Sequence, residues 1–121
     1  MREIRFYRTQ NGHCPVEELL DGLSGKQAQK VIWVLRLIEE LDTVPSQYLK
    51  KLVGTEDLWE IRAQYGGDIF RLIGFFAGGR LLVLTSGFAK KTDRIPRQEI
   101  ALAEQRQQDY QSRRHENERS H

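Results

Sequence analysis

The sequence predicts an α+β fold, in which two N-terminal helices and one C-terminal helix flank a twisted antiparallel sheet made of an N-terminal strand and a three-strand meander. Two observations support it. Apolar residues recur at helical spacing between residues 28 and 41, and three strand-like apolar runs separated by Gly-Gly pairs follow between residues 58 and 88. A length of 121 residues with 39% apolar side chains fits one hydrophobic core. We therefore assign residues 1–110 to a single domain and expect the polar residues 111–121 to form a disordered tail.

Strict alternation of apolar and polar residues predicts the first strand. Ile4 and Phe6 fall on one face of an extended segment, whereas Glu3, Arg5 and Tyr7 fall on the other. This pattern is typical of a strand with one buried face, so we expect Tyr7 on the polar face.

Two helices are predicted after this strand. Pro15, which suits the first turn of a helix, begins a short helix that ends at Gly22. Ser24 and Gln27 have the spacing of a capping box, and they start a longer helix whose apolar stripe includes Trp33. The width of that stripe predicts cover on a second side, as expected for the main core helix.

The second half of the chain predicts a meander and a last helix. Leu49–Gly54 fits either a short strand or an ordered loop, and its assignment stays open. Gly-Gly pairs at 66–67 and 78–79 favour tight hairpin turns. Pro96 suits the first turn of a helix that we expect to end near Tyr110. The predicted strands and helix are Leu58–Tyr65, Asp68–Phe76, Arg80–Phe88 and Arg97–Tyr110.

The predicted hairpin register brings two arginines together. Tight turns at both Gly-Gly pairs place Arg62 opposite Arg71, and Arg71 opposite Ser86. Like charges directly opposite each other are destabilising. The arginines therefore either reach a carboxylate, with Glu60 as the obvious partner on the same face, or form a phosphate site.

The distribution of charge favours the phosphate site. The whole chain carries a net charge of only +2, but residues 49–97 contain nine basic and five acidic side chains. The basic residues that flank the arginine pair on either side are Lys50, Lys51, Lys90, Lys91, Arg94 and Arg97.

Composition argues against other classes of protein. The only cysteine, Cys14, and the scattered His13, His115 and His121 do not form a metal-binding pattern, so we expect neither a metal nor a cofactor. No apolar run approaches the ~20 residues needed to cross a bilayer, and the first residues lack the apolar stretch of a secretory signal. We expect a cytoplasmic protein that does not contact a membrane.

Three segments together resemble a known family. They are Leu58-Trp59-Glu60-Ile61-Arg62, Tyr65-Gly66-Gly67-Asp68-Ile69-Phe70-Arg71, and Gly87-Phe88-Ala89-Lys90-Lys91-Thr92 ahead of Pro96. The combination resembles the phage-derived, HigB-like branch of the RelE/ParE toxin superfamily of type II toxin–antitoxin systems, over roughly residues 3–110. The resemblance implies a RelE-like fold and a toxin that inhibits translation as a ribosome-dependent mRNA endoribonuclease.

The resemblance also assigns roles to residues. It implies that Arg62 and Arg71 contact phosphate and that Lys90 and Lys91 are the basic pair after the last strand, and these four are the candidate catalytic residues. A lysine acts as a general base only where neighbouring cations and burial lower its pKa below the usual ~10.4, so Lys90 or Lys91 is the candidate base. Many relatives have a histidine where this sequence has Ser86, which puts activity in question.

The candidate RNA-binding residues surround this set. Tyr65, near the first turn, and Tyr48 are candidates for stacking on a base or for helping to transfer a proton; the alternative for each is a partly buried structural aromatic. The full set of candidate RNA contacts in the predicted site is Lys50, Lys51, Arg94, Arg97, Tyr65 and Ser86.

The resemblance implies partners as well. A helix-turn-helix antitoxin is the expected protein partner, and the ribosome with its mRNA is the expected target; the sequence is silent on oligomeric state. The alternative is a non-enzymatic protein of the same fold, either a DNA gyrase inhibitor or a toxin homologue that has lost catalysis. The sequence does not decide between an enzyme and this alternative.

Overall fold

The computed structural model describes residues 1–89 and 94–119, with side chains up to residue 115. These residues form three helices and five strands. In chain order they are β1 (Glu3–Phe6), α1 (Pro15–Asp21), α2 (Gly25–Glu40), β2 (Leu49–Lys51), β3 (Leu58–Tyr65), β4 (Asp68–Phe76), β5 (Leu81–Ala89) and α3 (Arg97–Arg119). No helix in this described part of the chain is both long and apolar enough to span a bilayer.

The strands form one open sheet in the order β1-β5-β4-β3-β2. The segment at residues 49–54, whose assignment to strand or loop the sequence leaves undecided, contributes the short edge strand β2. This strand pairs with β3. The predicted sheet is wrong in one respect, because β1 pairs with β5 in parallel and the sheet is therefore mixed. The chain leaves β1, forms α1 and α2, and enters the sheet at the opposite edge, so β1 meets only the last strand.

The helices begin as their local sequences predict. Pro15 begins α1, and Gly22 follows its last residue. Ser24 and Gln27 form both hydrogen bonds of the capping box at the start of α2. The side chain of Arg2 donates to the carbonyls of Ile38 and Leu41, so it satisfies acceptors that the end of α2 leaves open.

Both faces of the sheet are covered. On one face, Ile61 and Leu72 pack with Val31 and Ile38 of α2. On the other face, apolar residues of the strands pack with Ala103 of α3. These strand residues include Leu58, Ile73, Phe75 and Val83. The prediction that Tyr7 lies on a polar face is wrong because this second layer exists: Tyr7 is buried.

The first hairpin has the predicted register, with Tyr65 opposite Asp68 and Arg62 opposite Arg71. Gly66 has a φ of +61°, which a type II′ turn requires at its first central position. Glycine therefore suits this position for a conformational reason.

The second hairpin differs from its prediction. Three residues, Gly78, Gly79 and Arg80, form the loop, and the backbone amide of Ala77 donates to the carbonyl of Leu81 across it. A bulge then shifts the register between Ile73 and Gly74, so that Thr85 is the extra residue on β5.

Gly74 explains the form of this bulge. A Cβ atom at Gly74 would lie 2.5 Å from the backbone carbonyl oxygen of Val83 and 2.8 Å from Cδ2 of Leu84. The two strands therefore approach each other more closely here than a residue with a side chain would allow.

Helix α3 extends past the end that we expect near Tyr110 and continues to Arg119. Contacts with the N-terminal segment hold its later turns. The hydroxyl of Tyr7 donates to Asp109, and Arg113 donates both to Asp109 and to the backbone carbonyl of Arg8. Residues 111–119 are thus helical, and the domain boundary at residue 110 stays a prediction.

Candidate functional site

Arg62 and Arg71 are direct cross-strand neighbours, as the first hairpin predicts. Their environments differ sharply. Arg71 is 1% exposed, and its guanidinium donates to the Glu60 carboxylate over 2.6 Å. Glu60 is itself buried and is the cross-strand partner of Lys50 on β2.

The Arg71–Glu60 pair favours, for Arg71, the alternative in which the guanidinium binds a carboxylate over the one in which it binds phosphate. The Arg71 guanidinium is buried and bonded to a carboxylate, so in this structure it presents no surface to a phosphate. The charge of Arg71 is balanced by Glu60. Buried ion pairs contribute little net stability, but the loss of one partner leaves a desolvated charge without compensation. We therefore interpret Arg71 as a residue that holds β3 and β4 together.

Ser86 lies elsewhere than predicted. The bulge places Phe88 opposite Arg71, and Ser86 faces Ile73 instead. The row of Arg62, Arg71 and Ser86 is therefore wrong, because the predicted register assumed a two-residue turn and no bulge.

Arg106 of α3 holds Ser86 in place. Its guanidinium donates to the Ser86 hydroxyl and to the Thr85 carbonyl, each over 2.9 Å. Ser86 is 2% exposed, and its predicted contact with RNA stays a prediction. Our sequence reasoning missed Arg106, although its spacing from Ala103 and Tyr110 places the three residues on one side of a helix.

Arg62 is half-buried and lines a cleft at the β2 edge of the sheet, with a volume of about 530 Å³. Strand β2 begins at Leu49, so the residue beside Arg62 belongs to the preceding loop: the Arg62 amide donates to the Tyr48 carbonyl over 3.0 Å. Helix α2 contributes Lys30 to the opposite side. The cleft, here called the edge cleft, is lined by Lys30, Gln47, Tyr48, Arg62, Gln64, Gly66 and Ile69.

Cations outnumber acids in the described lining of the edge cleft. Lys30 and Arg62 are its ionised side chains, and the lining that the structure describes includes no carboxylate. The amide side chains of Gln47 and Gln64 add hydrogen-bonding groups. An anion that enters the cleft therefore meets two cations and several neutral donors.

The other predicted site residues lie outside the edge cleft. Lys50 and Lys51 are exposed on β2, and Tyr65 is exposed at the end of β3. Arg94 and Arg97 are exposed ahead of and at the start of α3. Lys90 and Lys91 lie outside the described residues, so their predicted role remains a prediction.

A second basic cleft, here called the β1–α3 cleft, lies at the opposite edge of the sheet and has a volume of about 600 Å³. Three of its arginines contact carboxylates that offset their charge. The pairs are Arg5 with Glu3 at 3.8 Å, Arg8 with Glu17 at 2.9 Å and Arg113 with Asp109 at 2.7 Å. This cleft therefore has a weaker attraction for anions than its number of arginines indicates.

Tyr7 belongs to the β1–α3 cleft as well. Burial and the adjacent Asp109 carboxylate raise the pKa of its phenol above the usual value, although Arg113 opposes the shift. The neutral phenol donates to Asp109, so this group stabilises the docking of α3 in its protonated form.

Comparison with known proteins assigns the chain to a family. No curated protein matches the chain significantly. The family described as "Phage derived protein Gp49-like (DUF891)" matches residues 18–108, which is about three quarters of the chain and includes both arginines and the edge cleft. The chain belongs to this Gp49-like phage-derived family, which is part of the RelE/HigB-like toxin superfamily.

Proposed function

We propose that this protein is the toxin of a type II toxin–antitoxin system and cleaves mRNA on translating ribosomes, thereby inhibiting translation. The family supports the toxin assignment. One observation supports an RNA target: Arg62 and Lys30 line a cleft whose described lining contains no carboxylate. Such a toxin would act in the cytoplasm, where ribosomes are found.

The proposed reaction divides into three tasks. Metal-free RNA cleavage requires removal of the 2′-hydroxyl proton, stabilisation of the pentavalent phosphate and protonation of the leaving 5′-oxygen. Arg62 suits the second task, because a guanidinium donates in two-point fashion to phosphate oxygens. Lys90 or Lys91 remains the proposed base. Arg71 contributes indirectly, since its bond to Glu60 fixes the strand that carries Arg62.

The ribosome requirement agrees with the charge of the chain. A net charge of +2 provides few phosphate contacts, and affinity for free RNA falls steeply with salt when it depends on such contacts. Exposed Lys50, Lys51, Arg94 and Arg97 are proposed to contact ribosomal or messenger RNA around the cleft.

A translation-coupled mRNA cleavage assay tests the proposal. We expect Arg62→Met to lower cleavage by about 100-fold or more, the usual cost of removing one donor to a developing oxyanion. Arg5→Met is the matched control, because it removes the same group from the β1–α3 cleft. Unchanged cleavage by Arg62→Met would contradict the proposal. Arg71→Ala is a poor test, because it leaves Glu60 buried without its partner.

The proposed partner is a helix-turn-helix antitoxin encoded beside the toxin gene. We expect growth arrest when this chain is expressed alone and recovery when the neighbouring gene is expressed with it. Growth that is unaffected by the chain alone would count against a toxin of any mechanism.

A non-enzymatic protein of the same fold is the second candidate, either a gyrase inhibitor or an inactive homologue. The observation that favours it is that Arg71 and Ser86, two of the predicted site residues, are buried and bonded to other side chains. Mapping of RNA ends after induced expression separates the two candidates. New cuts within translated messages indicate the nuclease, whereas intact messages with a DNA damage response indicate gyrase inhibition.

A further inference from the structure

Trp33 of α2 is 47% exposed, although its position in the apolar stripe predicts burial. A single exposed apolar side chain is ordinary on a protein surface, but tryptophan is enriched at binding interfaces because its indole combines a large apolar surface with a hydrogen-bond donor. The contacts of Trp33, rather than its exposure alone, connect it to a binding site.

Trp33 contacts two residues of the edge cleft. The ammonium group of Lys30 lies 4.3 Å from the centre of the Trp33 ring, and the Tyr48 ring meets it edge-on with centroids 5.8 Å apart. Both Lys30 and Tyr48 line the edge cleft. Trp33 thus lies at the rim of the edge cleft, where its exposed ring adds an aromatic surface beside the two cations of the lining.

The contact between Lys30 and Trp33 has an electrostatic consequence. A cation over an indole ring is attracted by the ring quadrupole, yet its charge is not cancelled as it is beside a carboxylate. Among the described residues, no carboxylate lies within ion-pair distance of Lys30. The ring therefore fixes the ammonium at the cleft while leaving its positive charge available to an anion.

We propose that the edge cleft and Trp33 together form a binding site for a nucleotide of single-stranded RNA. Lys30 and Arg62 contact the phosphate, the exposed indole of Trp33 stacks on a base, and the amides of Gln47 and Gln64 bond to polar edges of the nucleotide. This inference rests on the proposed RNA-directed function and adds α2 to the RNA path.

The composition of the site favours RNA over a protein ligand. Proteins that bind single strands combine a cationic groove with aromatic platforms, and both are present here. An acidic peptide would be attracted by the two cations but would have no use for the stacking surface. The volume of about 530 Å³ lies within the range of ~300–1,000 Å³ that is usual for small-ligand sites.

Binding of a fluorescein-labelled oligouridylate at about 50 mM salt tests the proposal by anisotropy. We expect Trp33→Ala to weaken binding about fivefold or more, the lower end of the range for loss of one base–aromatic stack. Lys30→Gln should weaken binding and reduce the slope of log affinity against log salt by about 0.7, the value for one phosphate contact on a single strand. Arg36→Gln, which removes an exposed charge of the same helix outside the cleft, is the matched control.

Tryptophan fluorescence locates the bound strand. Trp59 is the other tryptophan, so the Trp59→Phe protein reports Trp33 alone, and we expect unlabelled oligouridylate to quench its emission. An oligoglutamate of equal charge is the comparison ligand. Equal affinity and equal quenching by oligoglutamate would overturn the assignment to RNA in favour of an acidic peptide.

Further outcomes separate this inference from the proposed function. No measurable binding of oligouridylate, or equal binding by the parent, Trp33→Ala and Lys30→Gln proteins, would overturn the inference, even if mRNA cleavage on ribosomes persists. Binding that depends on Trp33 and Lys30 in a protein that cuts no mRNA would support the nucleotide site while contradicting the nuclease.

Discussion

Arg62 and Arg71 face each other across two strands, yet they belong to different regions of the molecule. Arg71 lies on β4, which has β3 and β5 as neighbours, and its guanidinium is buried against Glu60. Arg62 lies on β3, and the neighbouring strand β2 has only three residues and does not extend as far as Arg62. Arg62 therefore lines an open cleft. Sheet position, rather than sequence pattern, thus separates a structural arginine from one that can bind a ligand.

The two basic clefts teach a related lesson. The β1–α3 cleft is lined by more arginines than the edge cleft, but carboxylates balance the positive charge of three of these arginines. The edge cleft has two cations and a described lining without acids. Attraction for an anion depends on this local balance, because a nearby carboxylate cancels most of the field of its partner.

Removing Arg71 should have the largest effect on stability. We expect Arg71→Met to lower the free energy of unfolding by about 3–5 kcal/mol, because Glu60 remains buried without its partner. Urea denaturation measures this change. The double variant Glu60→Leu/Arg71→Met should recover most of the loss, since apolar replacements of a buried pair are often neutral. A single variant as stable as the parent would contradict the structural role of Arg71.

A substitution at Gly74 tests the bulge that moves Ser86 away from Arg71. Gly74→Ala should destabilise the protein by about 1–3 kcal/mol, because the added methyl meets the backbone oxygen of Val83, which cannot move aside easily. Gly87→Ala is the matched control. Its methyl would make a close contact with Cδ2, the flexible end of the Leu19 side chain, and ordinary contacts with Leu19 Cβ and Cγ, so thermal or urea unfolding should register a smaller loss. Equal losses would argue against the close approach of the strands at Gly74.

Tyr7→Phe tests the β1–α3 cleft, whose arginines are paired with carboxylates. We expect the free energy of unfolding to fall by about 1 kcal/mol, because the hydrogen bond to Asp109 is missing. The pKa of Tyr7 is raised in the folded protein. Its contribution is therefore fully present below the unfolded-state pKa of about 10 and is lost as the pH rises through the higher folded-state value. Urea unfolding of the parent and Tyr7→Phe proteins between neutral and strongly alkaline pH should converge at the alkaline end. A constant difference would contradict the assigned linkage.

Arg62→Met should have the smallest effect on stability of these variants. Because Arg62 is half-buried at the edge of the sheet, we expect a change below about 1 kcal/mol. Parallel urea curves for Arg62→Met and Arg71→Met give the comparison directly. A loss at Arg62 as large as that at Arg71 would mean that both arginines are structural.

Local sequence signals were enough to predict most elements of the fold. The capping box at Ser24 and the Gly66 turn act within a few residues, and both are present as predicted. The parallel pairing of β1 could not be predicted in this way, because it depends on where two helices return the chain. Likewise, the burial of Tyr7 depends on α3, which lies about a hundred residues later in the sequence.

The candidate site was harder to predict than the fold. The Arg62–Arg71 pairing followed from one turn, but Ser86 was misplaced because a loop of three residues and a bulge both shifted the second hairpin. Lys30 and Trp33 were overlooked because helical periodicity assigns residues to a stripe without showing which part of the stripe another element covers.

Cleavage of mRNA on ribosomes by the Glu60→Leu/Arg71→Met protein, measured beside Arg62→Met, tests the central claim most directly. We predict that the double variant, which lacks the buried pair but keeps a stable fold, cleaves within a few fold of the parent, whereas Arg62→Met loses cleavage. A stable double variant without activity, or a fully active Arg62→Met protein, would contradict the division between the structural and the functional arginine.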